Sequence, residues 1–411
     1  MVSGGSETDR PDPNPKRGEV TVACPSDDTL VEILSRLPPK PRFRFKCVSK
    51  PWRDLIADRL RCRKFPQTLE GFFFGGTDDE KYGNFVDLLG RPSPLVDASF
   101  SFLTKQPEIE KINLLGSCNG LVLFGHGRAS DIYDSLGYIV CNPATEQWVA
   151  MTRSGWTPFD DSEVICTYLI FDPTVSSHFE LVQFTQDDEG VILIDDEGVM
   201  LNDDGDDDDK GAMEVRTYSS ESRVWSGGKT IKLGAHRRIL SYLGSPLVNG
   251  MLHFNVGHEY GKEDRIVAVD REVKKCRNIH WPEKHGEIIL VGQSQGLLHC
   301  ISRHTKTIET ADLSVWVLVD YDTEEWVLKH SVSFAHLSGK SGRAHAFSFC
   351  FVSIHPHRNM VFFVPSESQK LMSYDMDSKE MCVLCTVGCD YPYVTQYVPY
   401  FSESPALGRK H

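Results

Sequence analysis

The sequence predicts a small all-α unit followed by a large all-β domain, on three observations. Residues 25–64 carry apolar residues at helical spacing between prolines, and from about residue 67 the apolar runs become strand-sized and alternate with turn residues. Two short phrases then recur through the second region. The 411 residues are 40% hydrophobic and 25% charged, with 32 Gly and 22 Pro, which is the composition of a globular chain and excludes wholesale disorder or fibrous structure. The longest apolar runs, such as AFSFCFVSI (346–354), fall well short of the roughly 18 residues of a spanning helix, so no membrane partner is expected. Residues 1–24, rich in Pro, Gly and charge without an apolar stretch, read as a disordered tail and not a signal peptide. Twelve scattered Cys without a secretory signal point to reduced thiols in the cytoplasm or nucleus.

In the helical unit, Leu30, Ile33, Leu34 and Leu37 lie on one stripe of a first helix. Asp27, Asp28 or Thr29 is available to cap it, and Pro38 and Pro39 end it. Pro41 to Val48 fits a short second helix with Pro41 in its first turn, although Phe43, Phe45 and Cys47 also alternate like a strand. A third helix starts at Pro51 and puts Trp52, Leu55, Ile56 and Leu60 on one face.

In the β region, one phrase is a Gly followed by apolar residues: CNGLVLF (118–124), VNGMLHF (248–254), SQGLLHC (294–300) and, more loosely, HRNMVFF (357–363). The other is strand, polar turn, strand, as in IVCNPATEQWVAM (139–151), LVDYDTEEWVLKH (318–330) and LMSYDMDSKEMCVL (371–384). Gly250 to Gly296 spans 46 residues and Trp281 to Trp326 spans 45, the period of a β-propeller blade. Five to seven blades are expected over residues 67–400, with the turn-phrase aromatic packing between blades and the Gly phrase forming an inner strand close to a neighbouring backbone. Trp148 to Trp225 is too long for one blade and holds an acidic insertion, 186–212, read as a disordered loop. Residues 401–411 read as a tail.

The run PSDDTLVEILSRLPPKPRFRFKCVSKPWRDLI resembles the F-box, the helical module that docks substrate receptors onto the Skp-family adaptor of SCF-type ubiquitin ligases. GSCNGLVLF, CNPATEQW and FDPTVSSHFELV resemble the F-box-associated, kelch-like propeller repeats of plant F-box proteins. The resemblance implies an F-box-like domain at 25–66 whose adaptor-binding residues are Pro25, Leu30, Ile33, Leu34, Leu37, Pro38, Phe45, Val48, Trp52, Leu55 and Ile56. It further implies a link through the adaptor to cullin, a protein substrate held by the β domain for ubiquitination, and a non-catalytic role. Three positions depart from the family: Cys24 where Leu is usual, Pro41-Arg42 for a small residue and Leu, and Pro51 for Ser. A charge at the Leu position costs on the order of 1–3 kcal/mol of adaptor contact if it does not snorkel to solvent.

The formal net charge of -14 combines two opposed segments. Residues 187–214 hold thirteen acidic residues and one Lys, whereas 36–64 hold eleven basic residues against Asp54 and Asp58. Arg and Lys interleaved with Phe43, Phe45 and Trp52 could suggest nucleic acid, but those aromatics fit the helix stripes, and no nucleic-acid partner is expected. An EF-hand register on Asp206 and Asp208 puts Lys210 at a ligand position and lacks the terminal Glu. Cys382, Cys385 and Cys389 have metal-like spacing, yet strand alternation splits the first two between faces. No metal, cofactor or catalytic constellation is therefore expected, and His253 and His299, which recur at one place in their phrases, read as structural. The alternative is a propeller enzyme or carbohydrate-binding propeller with a vestigial F-box, whose polar residues would gather at one channel mouth. Trp156 is a candidate exposed contact, and Tyr391, Tyr393, Tyr397 and Tyr400 suit packing of a closing strand.

Overall fold

The computed structural model describes residues 69–75, 84–90, 96–107, 109, 111–127, 137–151, 154–155, 163–187, 212–232, 237–240, 244–258, 265–307, 310–338, 349–366, 368–387 and 393–408. Nearer the N-terminus it describes positions 1, 4, 26, 29, 30, 33, 45 and 48–52. The chain divides into two compact units, Met1–Phe65 and Pro66–His411.

In the first unit the first helix is capped by Ser26. Its Oγ accepts the Thr29 N–H at 3.3 Å, and the Leu30 N–H donates to the Ser26 carbonyl at 2.9 Å. This corrects the expected cap by one to three residues: the capping oxygen sits three residues ahead of the N–H it receives, and Ser26 meets Thr29. Ser49 repeats the device, accepting the Trp52 N–H at 3.3 Å, which places Pro51 in a first turn where its missing N–H costs nothing. Phe45 is helical, and its ring lies 5.3 Å from that of Trp52.

The second unit is a six-bladed β-propeller, with six antiparallel sheets among the described residues. Blade 6 opens the unit with β1 (Gly71–Gly75) and β2 (Asn84–Asp87). Blade 1 comprises β3 (Lys111–Cys118), β4 (Leu121–Gly127), β5 (Gly137–Asn142) and β6 (Gln147–Met151). Blade 2 holds β7 (Glu163–Ile170), β8 (Glu180–Asp187), β9 (Ala212–Ser219), β10 (Val224–Trp225) and β11 (Lys229–Lys232). Blade 3 holds β12 (Arg237–Ile239), β13 (Leu247–Val248), β14 (Met251–His258), β15 (Arg265–Asp270) and β16 (Cys276–His280). Blade 4 is β17 (Glu287–Ser294), β18 (Leu297–Thr307), β19 (Thr310–Asp320) and β20 (Glu325–Ser333). Blade 5 is β21 (Phe349–Ile354), β22 (Met360–Pro365), β23 (Lys370–Asp375) and β24 (Met381–Thr386). Finally β25 (Tyr393–Tyr397) pairs antiparallel with β1, so the C-terminal strand closes the ring as the inner strand of blade 6.

The core lies between blades. Each of six apolar clusters joins one pair of neighbours: Phe254 and Leu252 meet Phe184 and Ile170 between blades 2 and 3, and Trp281 and Ile279 meet Leu298 and Cys300 between blades 3 and 4. Tyr397 packs with Phe73 and Phe124 between blades 6 and 1. Turn-phrase aromatics therefore pack as expected, with Trp281 and Trp326 ring centroids 5.0 Å apart.

The Gly phrases are corrected. Each begins with the tight turn from a blade's first strand into its second, and the strand follows the Gly. Asn119-Gly120, Asn249-Gly250 and Gln295-Gly296 all take positive φ, which suits a two-residue hairpin. Close backbone approach applies to Gly120 alone of the three: a Cβ there would lie 2.4 Å from the Tyr400 nitrogen, whereas Gly250 and Gly296 face open space. In the looser fourth phrase, His355 Nδ1 accepts from the His357 and Arg358 amides at 3.0 and 3.1 Å and closes the turn without glycine.

The turns into the outer strands repeat another device. Asn142, Asp270, Asp320 and Asp375 each accept main-chain N–H groups on a side-chain oxygen, and Glu146, Val273, Glu324 and Lys379 later in those turns take positive φ.

Residues 401–408 are not a tail. Ala406 and Leu407 are buried between blades 1 and 2, Asn142 Nδ2 donates to the Tyr400 carbonyl at 2.7 Å, and the Gly408 amide donates to the Trp148 carbonyl.

Candidate functional site

Antiparallel order gives the propeller two unlike faces. One receives the turns between first and second and between third and fourth strands, short except for residues 171–179 between β7 and β8. It is stitched across blades by polar contacts: Asn119 Nδ2 donates to the Phe171 carbonyl at 2.6 Å, the Gln295 amide to the Pro356 carbonyl at 2.7 Å, and Gln295 Nε2 to Asn359 Oδ1 at 3.1 Å. Arg277 donates to the Tyr321 carbonyl and lies 3.7 Å from Glu324. Arg271 reaches Glu180 at 3.7 Å, and burial holds that carboxyl above its ordinary pKa despite the cation.

The other face receives the second-to-third-strand connections and the links between blades. The connection from Asp187 to Ala212 carries the acidic segment, so the expected insertion 186–212 gives up its ends to β8 and β9, and the rest falls outside the described residues. Trp156 and Tyr391 also fall outside them. Tyr397 and Tyr400 are buried, as expected for a closing strand.

The predicted histidines are structural. His253 is fully buried, its Nε2 is 2.8 Å from the Tyr321 hydroxyl of the next blade, and burial lowers its pKa to about 4. His299, at the equivalent place one blade on, is also lowered to about 4 by burial, and its Nε2 lies 3.4 Å from the Lys329 ammonium. These environments favour neutral rings, His253 joining blades 3 and 4 and His299 packed within blade 4. Sequence reasoning had no signal for Tyr321 as the partner, because the pairing joins residues of different blades. Cys382 is exposed and Cys385 half-buried on β24, while burial pushes the Cys118 thiol up to about 11.

An open cleft of about 660 Å³ lies between blades 3 and 4. Ile279, Trp281 and Pro282 form its apolar part, and Arg265, His280, Lys284 and Glu324 contribute polar groups. Nothing in the spacing of those residues announced it.

In the first unit, Leu30 is buried and Phe45 and Trp52 are half-buried, while Ile33 is 49% and Val48 60% exposed. Pro25, Leu34, Leu37, Pro38, Leu55 and Ile56 lie outside the described residues.

Comparison with known proteins gives two family matches. Residues 90–390 match the model described as F-box protein At3g26010-like, beta-propeller, and residues 26–64 match the F-box domain. The chain is similar to F-box protein At5g07610 of Arabidopsis thaliana, 23% identical over 90% of this chain and 89% of that protein. It is also similar to F-box protein At5g49610 of the same plant, 26% identical over 76% of this chain and 80% of that one. Among solved structures, TolB from Acinetobacter baumannii aligns over 84% of this chain and 71% of its own with 9% identity and a TM-score of 0.43.

Proposed function

The chain belongs to the F-box proteins with an At3g26010-like β-propeller, and on that premise we propose that it is the substrate-recognition subunit of an SCF-type ubiquitin ligase. One observation carries the reading: a helical unit matching the F-box and a complete propeller stand on one chain. The helical unit docks on a Skp-family adaptor, and through it cullin, by Ile33, Phe45, Val48 and Trp52, with Leu30 packed beneath and Pro25, Leu34, Leu37, Pro38, Leu55 and Ile56 completing the surface. Exposure of Ile33 and Val48 supports this, since covering apolar side chains supplies roughly 25 cal/mol per Å².

The propeller holds a protein substrate on the face that receives the long connections. Tight, cross-stitched turns on the opposite face leave little freedom to adapt, whereas loops on a rigid scaffold vary without disturbing it. The chain performs no bond chemistry; it raises the local concentration of substrate lysines near the ubiquitin-charged enzyme. It works in the cytoplasm or nucleus, a placement supported by the eight free thiols among the described residues.

Copurification with a Skp-family adaptor and cullin tests the reading, with Leu34→Asp and Trp52→Ala as variants. Wild type retains both partners and each variant loses them. Absence of both partners from wild type overturns the proposal, and retention by both variants overturns the interface.

A further inference from the structure

The outer edge of blade 4 is the longest unbroken one among the described blades. β20 runs nine residues, against five, five and six in β6, β16 and β24, and the outer edge of blade 2 is split into β10, of two residues, and β11, of four, both paired with β9. At about 3.3 Å per residue, that is an edge roughly 30 Å long. One side of β20 is laddered to β19, with a bulge at Lys329 that leaves the strand unbroken, and no described residue bonds the main chain on its other side. β20 is neither short nor broken by Pro, and of the devices that blunt a sheet edge it carries, between its end residues, a charge and a bulge only at Lys329.

Apolar exposure concentrates at the same place. Val319, Val327 and Leu328 are 47%, 44% and 48% exposed on two adjacent strands, whereas blade 2 shows Val175 in a turn and Val224 on β10, and blades 1 and 5 show one such residue each. The cleft adjoins it: Trp326, two residues before Leu328 and on the same face of the strand, donates from Nε1 to the carbonyl of His280 in the cleft wall at 3.1 Å.

The geometry points to strand addition: β20 receives an extended segment of the substrate protein, apolar at alternate positions, as a fifth strand of blade 4. Main-chain donors and acceptors at the alternate, outward-facing residues of β20, open among the described residues, are matched by an extended backbone, which a folded surface or a small molecule does not present. Alternate side chains of the added strand lie over Val327 on one face, and over Leu328 and the cleft on the other. The identity of the occupant as substrate rests on the receptor reading.

A phage-displayed library of random nonapeptides, panned against the full chain, supplies the probe. The selected peptides are expected to slow hydrogen exchange of amides within 325–333. They are also expected to bind the V327K/L328K double variant at least tenfold more weakly than wild type, while Val224→Lys on blade 2 binds them unchanged. Selection of no binder, protection confined to other segments, or equal binding to the double variant overturns the proposal. Panning uses no adaptor and copurification uses no peptide, so failure of one is distinguishable from failure of the other.

Discussion

The two units of the chain treat apolar side chains in opposite ways. The propeller buries most of them in six slabs between blades, where Phe254, Phe184 and Tyr168 meet edge to face at 4.8 to 5.9 Å. The helical unit leaves Ile33 and Val48 half or more in water. On the receptor reading the difference separates stability from association: the slabs hold the propeller together, and Ile33 and Val48 are left for another chain.

The strongest way to break this comparison is Phe254→Ala. A nearly fully buried ring between blades 2 and 3 is removed, and unfolding stability should fall by about 3–5 kcal/mol, read by denaturant titration. A loss below about 1 kcal/mol would mean that the slab is loosely packed. Ile33→Asp and Val48→Asp invert the pattern: each should weaken adaptor binding by roughly 2 kcal/mol, about thirtyfold, and leave the propeller's melting unchanged. A large drop in melting temperature for either would show that these side chains serve folding.

Glycines sharpen the account within the propeller. Gly120→Ala meets both a φ of +92° and the Tyr400 backbone, and should cost about 2–3 kcal/mol. Gly296→Ala meets only a φ of +77° with open space, so roughly 1 kcal/mol is expected by the same titration. Equal costs would remove the C-terminal strap from the explanation.

The smallest effect is in pH. His253 takes a proton near 6.5 in the unfolded chain and near 4 in the folded one, because burial disfavours the charged ring. The unfolded state therefore binds more protons between those values. Stability contributed by the neutral ring is fully present above about 6.5 and falls as pH drops toward 4, by up to about 1.4 kcal/mol per pH unit. Denaturation at pH 7 and pH 5 should show a shallower loss in His253→Gln than in wild type.

What could be read in advance follows the range of the interactions. The blade period is periodic in the sequence, and the six blades follow it. The Gly phrases were half legible: Asn119-Gly120 and Asn249-Gly250 are hairpin dipeptides, but the apolar residues after them draw the eye to the strand and not to the turn. Ser26 does not stand out as a cap because acidic neighbours at 27 and 28 suit the same role. Residues 401–408 carry only Ala406 and Leu407 as core residues, too few to announce a strap, and the Tyr321–His253 bond joins positions 68 residues apart. The cleft between blades 3 and 4 likewise exists only once the blades are side by side.

Calorimetric titration of the purified full-length chain with a Skp-family adaptor tests the central claim most directly. The account predicts saturable one-to-one binding with a negative heat-capacity change from apolar burial, abolished in the I33D/V48D double variant while its propeller still melts like wild type. Absence of binding by the wild-type chain, or unchanged binding by the double variant, would contradict it.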